Sequence, residues 1–407
     1  MARASGVAKK VSYKKESVGQ WGEIPAVTTG AQYLRRTSAD FNVTKSTLES
    51  SEINPSYQLT GIRTGVGQAE GSLSGELSPG TYADFFASVM AKDFASVTPS
   101  TGLTLAIAAS GSYFTLTRSA GSWLTDGVRV GNVVRLTAGT GADPANLNNN
   151  LLVLTMTATV LTVQVLSRVS LVVQASVTAA TVSVIGKTSM VPLSGHTDDS
   201  YSFEQWYSDI AQSELFGGMK VTSAAVSVSP DGLSTVDFSF SGKDMTRSGT
   251  TEFFTTPTAA TTTGLLAGAT GALIVNGTAG ACITDASINI DRNTEATQCI
   301  GSTAVSSIAV GAIRATGSFS AYFSDTSLRD IYRNEQNVSV VLALTESNDK
   351  AANVISFVLP KVRFMSATNA DAEGHIVQSI DYQAILNDVT TGGLPATTIM
   401  IQDTTLV

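Results

Sequence analysis

The sequence predicts a mainly β protein in which one β-rich unit with a single helix occurs twice, with a small β-domain inserted into the first copy. Three observations predict this. Runs such as VRVGNVVRLT, VLTVQVLS, STVDFSFSG, SFSAYFS and NVSVVLAL carry β-branched or aromatic residues at period two. Only two segments carry strong helix signals, and they follow matching strands. Blocks of sequence also recur in one order at a nearly constant separation.

Taken along the chain, residues 1–15 come first as a hydrophilic arm without an apolar face, basic at Lys9, Lys10, Lys14 and Lys15. Such an arm is expected to be mobile until it meets a partner, and an acidic neighbouring subunit suits it as well as nucleic acid does. The first unit is expected over 16–94 and 199–250. Its helix is announced by Ser78 as N-cap and Pro79 at the first helical position, followed by Tyr82, Phe85, Phe86, Val89 and Met90 at helical spacing. Residues 95–198 form the insertion, in which Gly121–Gly127 is a turn and Leu151–Leu166 reads as two Thr-punctuated strands, too short for a membrane span. A Thr-, Ala- and Gly-rich linker, 251–280, separates the copies. The second unit occupies 281–407, its helix opened by Ser324 and carrying Leu328, Ile331 and Tyr332.

The repeat sets these boundaries. Phe41–Thr47 resembles Ile288–Thr294 at an offset of 247, and Gly71–Ser78 resembles Gly317–Ser324 at 246. Further on, Lys220–Val221 resembles Lys361–Val362 at 141, while Asp231–Gly232 with Phe238 and Phe240 resembles Glu373–Gly374 with Ile380 and Tyr382 at 142. The fall of 104 between 246 and 142 measures the insertion.

Composition narrows the function. Charged residues are only 14% and hydrophobic residues 43% of 407, which excludes a disordered chain. Lys and Arg number 25 against 33 Asp and Glu, a net charge of −8, so any contact with DNA should be non-adhesive. Cys282 and Cys299 are expected to be reduced core thiols, and with His196 and His375 they make no metal-ligand spacing. The N-terminus lacks the apolar run of a secretory signal, so folding in a cytosol is expected and the sequons at Asn42, Asn276 and Asn337 carry no meaning. GSLSG at Gly71–Gly75 has leucine where a nucleophile elbow needs serine, and Gly65–Gly71 has the wrong spacing for a phosphate cradle. His196 beside Asp198 and Asp199 could hold a cation, but a solvated loop at the insertion boundary is the simpler reading. No catalytic, cofactor-binding or metal residue is assigned.

Several segments together carry a family resemblance: Gly6-Val7 with Val11-Ser12-Tyr13-Lys14, Ala31-Gln32-Tyr33-Leu34-Arg35-Arg36, Ser50-Ser51-Glu52-Ile53, GSLSGELSPGTYADFFASVMAKDF, and Phe238–Gly242. The chain resembles the tail tube (major tail) proteins of long, non-contractile-tailed bacteriophages of the siphovirus type. The resemblance implies two tandem tail-tube β-sandwich folds, each with one flanking α-helix, plus an outer inserted domain. It also implies a structural virion protein, assembled in the bacterial host cytoplasm, whose inner sheets join around a lumen that conducts double-stranded DNA. Its partners would be other copies of itself, a tape-measure and other tail proteins, and DNA in transit, with no membrane and no cofactor. Two duplicated units per chain lead to trimeric rings of pseudo-sixfold symmetry, with hexameric rings the alternative. The inserted domain should be a self-contained module on the exterior, removable without loss of assembly. A secreted or surface-array adhesin shares the composition but wants a signal peptide, and a glycan-active β-sandwich enzyme wants a carboxylate pair and an aromatic cleft.

DNA that slides without sticking calls for a neutral or acidic wall, and alternation along the strands selects the side chains that can face it. These are Ser72, Ser74 and Glu76, then Asp237 and Ser239, and in the second copy Ser318, Ser320, Ser379, Asp381 and Gln383, faces without lysine or arginine. Lys9, Lys10, Lys14 and Lys15 are the candidates for contacts between rings.

Overall fold

A computed structural model describes residues 3–279, 282–370, 374–389 and 391–407. Ala2 of the arm, Gly280 and Ala281 at the junction of linker and second unit, and Glu373 of the repeat lie outside the described residues. The chain opens with β1 (Lys9–Lys15), β2 (Gln32–Tyr33), β3 (Ser38–Glu49), β4 (Ile62–Glu76) and helix α1 (Ala83–Met90). Six strands then form a closed barrel: β5 (Ser100–Ser110), β6 (Tyr113–Arg118), β7 (Val133–Thr140), β8 (Leu151–Met156), β9 (Val160–Val165) and β10 (Gln174–Val184). After β11 (Lys187–Met190) come β12 (Tyr201–Tyr207), β13 (Gln212–Val228), β14 (Thr235–Gly242) and β15 (Asp244–Gly249). The remainder is β16 (Gly271–Val275), β17 (Thr278–Ala279), β18 (Ile283–Asp291), β19 (Thr294–Thr297), β20 (Ser307–Val310), β21 (Arg314–Tyr322), α2 (Ser327–Arg333), β22 (Asn337–Thr345), β23 (Val354–Asn369), β24 (Val377–Ala384) and β25 (Met400–Asp403).

Two stretches share one topology. β12, β13, β14, β4 and β3 are hydrogen-bonded in that order, and so are β22, β23, β24, β21 and β18. Registers agree residue by residue: Phe238 faces Leu73 where Ile380 faces Phe319, and Leu73 faces Ala39 where Phe319 faces Ala286. Even the bulges coincide, between Val221 and Ser223 in β13 and between Phe364 and Ser366 in β23. Val221 opposes Phe240 and Phe364 opposes Tyr382, so the equivalent of Lys220 is Arg363 and not Lys361. The Lys-Val dipeptide match was a coincidence two residues out of register.

β13 and β23 are long enough to belong to two layers each. The first half of β13 pairs with β12 and β15, and its second half pairs with β14 and β18. Gly217-Gly218 in β13 and Pro360 in β23 sit where the register shifts against β12 and β22; Gly218 takes the left-handed region at φ 70°, which costs a glycine little. Between the layers lies a core continuous through both copies. Its centre is aromatic. Phe203 is fully buried, with ring centroids of Phe41 at 4.4 Å, Phe240 at 4.9 Å and Phe85 at 5.8 Å. Phe203→Ala is expected to cost about 3–5 kcal/mol, because this packed ring has no neighbour able to collapse into its place. Chemical denaturation with an unchanged m-value would check it.

Both helices start later than the sequence signals suggest. Leu77 N–H still donates to Ser234 O at 2.8 Å and Gly80 N–H to Asp403 Oδ2 at 2.6 Å, so Ser78 and Pro79 belong to a turn and Tyr82 is the N-cap. The helical face is nonetheless buried at Phe85, Phe86, Val89 and Met90. In the second copy Phe323 N–H donates to Ile376 O at 2.9 Å, which keeps the chain extended past Ser324; Thr326 is the N-cap, and Tyr332 remains 40% exposed.

The arm is also corrected. Residues 9–15 are a strand paired with β12 along its whole length, with Val11 and Tyr13 buried. Four lysines conceal an apolar pair at period two. The linker is packed down: Phe253 and Phe254 N–H donate to the buried Glu204 carboxylate, and Phe254 and Leu266 are fully buried. Cys282 and Cys299 are unpaired and exposed, at the entry to β18 and in the β19–β20 connection, so they are not core thiols.

The barrel has its own core around Trp123, and its ends meet where Ala95 and Thr188 exchange backbone hydrogen bonds at 2.9 Å. It is not self-contained. Val133, Leu152 and Leu154 on its outer surface pack against Val341, Ala343, Val354, Val358 and Met400. Gln402 ties the two parts, its Oε1 accepting from Val133 N–H at 2.8 Å and its Nε2 donating to Val133 O at 2.9 Å and Ile185 O at 2.7 Å.

Candidate functional site

The strand order β3-β4-β14-β13-β18-β21-β24-β23 makes one eight-stranded sheet that spans both copies, joined by β13 against β18. One face carries the core. Directly opposed residues of an antiparallel sheet share a face, so the registers fix the other face. Ser74 and Asp237 lie in a row with Ala225, Asn289, Thr316 and Gln383. Glu76 lies in the next row with Thr235, Ser227, Ser287, Ser318 and Asp381. Ser72 opposes Ser239, and Ser320 opposes Ser379. All ten residues read from alternation therefore lie on one face of the sheet, although Ser320 is buried there.

That surface satisfies its own polar groups. Ser287 and Ser318 hydroxyls meet at 2.9 Å, Ser320 and Ser379 at 3.1 Å, and Ser366 Oγ donates to Asp381 Oδ2 at 2.6 Å. Acidic side chains on the face are Asp40, Glu70, Glu76, Asp237, Asp285, Asp291 and Asp381. The face is not free of cations, contrary to the reading from sequence. Arg314 begins β21 opposite Asp291, Arg363 opposes Gln383, and its equivalent Lys220 opposes Ser241. Each has an acid close by, Asp291 across the ladder, Glu335 at 3.7 Å and Asp198 at 2.6 Å, so the face stays acidic overall.

The four arm lysines are engaged within the chain. Lys9 Nζ donates to Ala39 O at 2.8 Å and Lys14 Nζ to Val27 O and Thr29 O at 2.8 Å, while Lys10 lies 5.6 Å from the centre of the Tyr33 ring. Lys15 bridges Asp199 at 2.8 Å and Asp93 at 3.4 Å; burial works against its charge, but the two carboxylates outweigh it and raise its pKa. His196 borders a cavity of about 480 Å³ with Thr197, Asp198 and Arg292. Asp198 there already serves Lys220 at 2.6 Å and Arg292 at 3.7 Å, so its charge is met by the chain's own cations. Among the described residues, no three His, Cys, Asp or Glu side chains converge on a metal position.

The sequence signals missed one exposed apolar feature. The β3–β4 hairpin projects from the sheet with Leu48, Ile53, Tyr57, Leu59 and Ile62 exposed, Ile53 and Tyr57 fully so. Its residues alternate too weakly to stand out as a strand pair. No curated protein matches the chain. Residues 6–384, which include every strand of the polar-faced sheet, match the phage tail tube protein family; the chain belongs to that family and is a structural component of the virion tail.

Proposed function

We propose that the chain polymerises into stacked rings that form a tube for the passage of double-stranded DNA, and that it performs no catalysis. The observation that carries this reading is the pair of open sheet edges. Within the chain, the second half of β13 joins β18 of the other copy. The equivalent strands are β23 and β3, and among the described residues the second half of β23 pairs only with β24, and β3 only with β4. An open edge of this kind is a template for another chain. Repeating the internal junction between chains, β23 to β3, continues one sheet around a ring, and a heterologous contact of this kind either closes or winds into a helix. Six units in three chains give pseudo-sixfold symmetry.

The polar face then lines the lumen, where acidic and hydroxyl side chains displace no counterions from phosphate. The barrel packs on the β22–β23–β25 layer, across the core from the polar face, which supports an exterior position for it. Since the four arm lysines already have partners, the apolar tip of the β3–β4 hairpin is the stronger candidate for contact between rings, and the lysines are secondary candidates. Tape-measure and other tail proteins would meet the lumen and the tube ends. Averaged cross-sections of polymerised protein by electron microscopy should show three chains per ring with barrel density outside. Six chains per ring would overturn the trimeric arrangement, and protein that never polymerises would overturn the tube itself.

A further inference from the structure

At the internal junction one acid holds two cations from different copies. Asp198, just before β12, meets Lys220 Nζ of β13 at 2.6 Å and Arg292 Nη2, just beyond β18, at 3.7 Å. The Arg292 side chain is only 1% exposed, and its Nε and Nη1 have no partner, so Asp198 is what offsets its burial. The paired registers give the equivalents of all three. Tyr201 opposes Met219 as Val338 opposes Val362, which places Glu335 where Asp198 stands; Lys220 corresponds to Arg363, and Arg292 to Lys45. Two of these are already together: Arg363 Nη1 lies 3.7 Å from Glu335 Oε2. Lys45 is exposed on β3, the open edge at the far end of the sheet.

We propose that Lys45 of a second copy completes the Glu335–Arg363 pair, so that every junction between chains holds one carboxylate between two cations as the internal junction does. This rests on the ring reading above, with β23 and β3 as the joined edges. The register follows from Ser223 opposite Asp291 and Ala225 opposite Asn289: between chains, Ser366 meets Thr44 and Thr368 meets Asn42. Ala39 O and Phe41 O accept from Lys9 Nζ and Gln205 Nε2, so the unencumbered part of the β3 edge begins at Asn42 and runs on to Lys45.

Lys45 and Glu335 are both exposed in the single chain, so reversing either leaves the fold intact. Lys45→Glu and Glu335→Lys, each alone, should raise the concentration needed for polymerisation by about tenfold or more. The double variant again has one acid and two cations, and it should polymerise as wild type does. Single variants that polymerise like wild type, or a double variant no better than the singles, would overturn the cluster. A second measurement separates this from failure of the ring reading. In a Cys282→Ser, Cys299→Ser background, Asn42→Cys with Thr368→Cys should form interchain disulfides with oxidised glutathione. Cross-links with unaffected single variants would refute the cluster alone; wild-type protein without polymers and a cysteine pair without cross-links would refute both.

Discussion

Removing residues 97–186 and bridging Ser96 to Lys187 with a short Gly-Ser segment is expected to give protein that does not stay soluble. The bridge itself is easy, since Ala95 and Thr188 are already hydrogen-bonded neighbours. The difficulty is what the barrel leaves behind. Val341, Val354, Val358 and Met400, buried to 2% or less, would face water. At about 1.5–3 kcal/mol for each large apolar side chain, the loss rivals the roughly 5–15 kcal/mol of a whole domain. The Gln402 side chain would also lose its three backbone partners on the barrel side, leaving an amide and several β strands without cover. Solubility after expression and the thermal midpoint measure this. A soluble deletion with the wild-type midpoint would show that the barrel only decorates the second unit. Adding Val341→Thr and Val358→Thr should recover soluble protein, and polymerisation of that repaired chain would test the exterior position separately.

A second large effect is expected from Glu76→Lys combined with Asp237→Lys. The two residues are diagonal neighbours on the polar face, exposed enough that the fold tolerates either charge. In a ring of three chains the pair adds six cations where the wild type has six acids. Contacts to about six phosphates lose roughly 10³-fold in affinity between 50 and 200 mM salt. Variant tubes should therefore retain linear DNA at low salt and release it as salt rises, while wild-type tubes retain none at either. Equal DNA release by wild type and variant at low salt would remove these residues from the lumen.

How much of this was legible depends on the kind of signal. Alternation along single strands placed Ser72, Ser74, Glu76, Asp237 and Ser239 opposite the core residues Leu73, Phe238 and Phe240, because a period of two leaves a strand only two faces. The offsets of 247, 246 and 142 reappear in the pairing registers because equivalent strands bury equivalent positions: Ala39 with Ala286, Leu73 with Phe319, Phe238 with Ile380. Identity without a burial pattern misled, as Lys361-Val362 shows. Contacts between distant segments left no local mark. Nothing near Val133 announces Gln402, and nothing in Lys9–Lys15 announces the Tyr201–Tyr207 strand that it pairs. The helix starts failed for a related reason, since the bonds that keep Leu77 and Phe323 extended come from Ser234 and Ile376.

β25 has a consequence for how the chain reaches this state. It lies between β11 and β23, with Lys187 opposite Asp403 and Ser356 opposite Gln402, so the outer layer is completed by pairing segments more than two hundred residues apart. Loop closure of that span comes late and places the chain among slow, high-contact-order folders. Until it happens, β11 and the first half of β23 each present an unpaired edge, and the apolar side chains of Met400 and Ile401 have no burial site. The two edges that Met400–Asp403 covers are thus places where misassembly can begin before that four-residue strand docks.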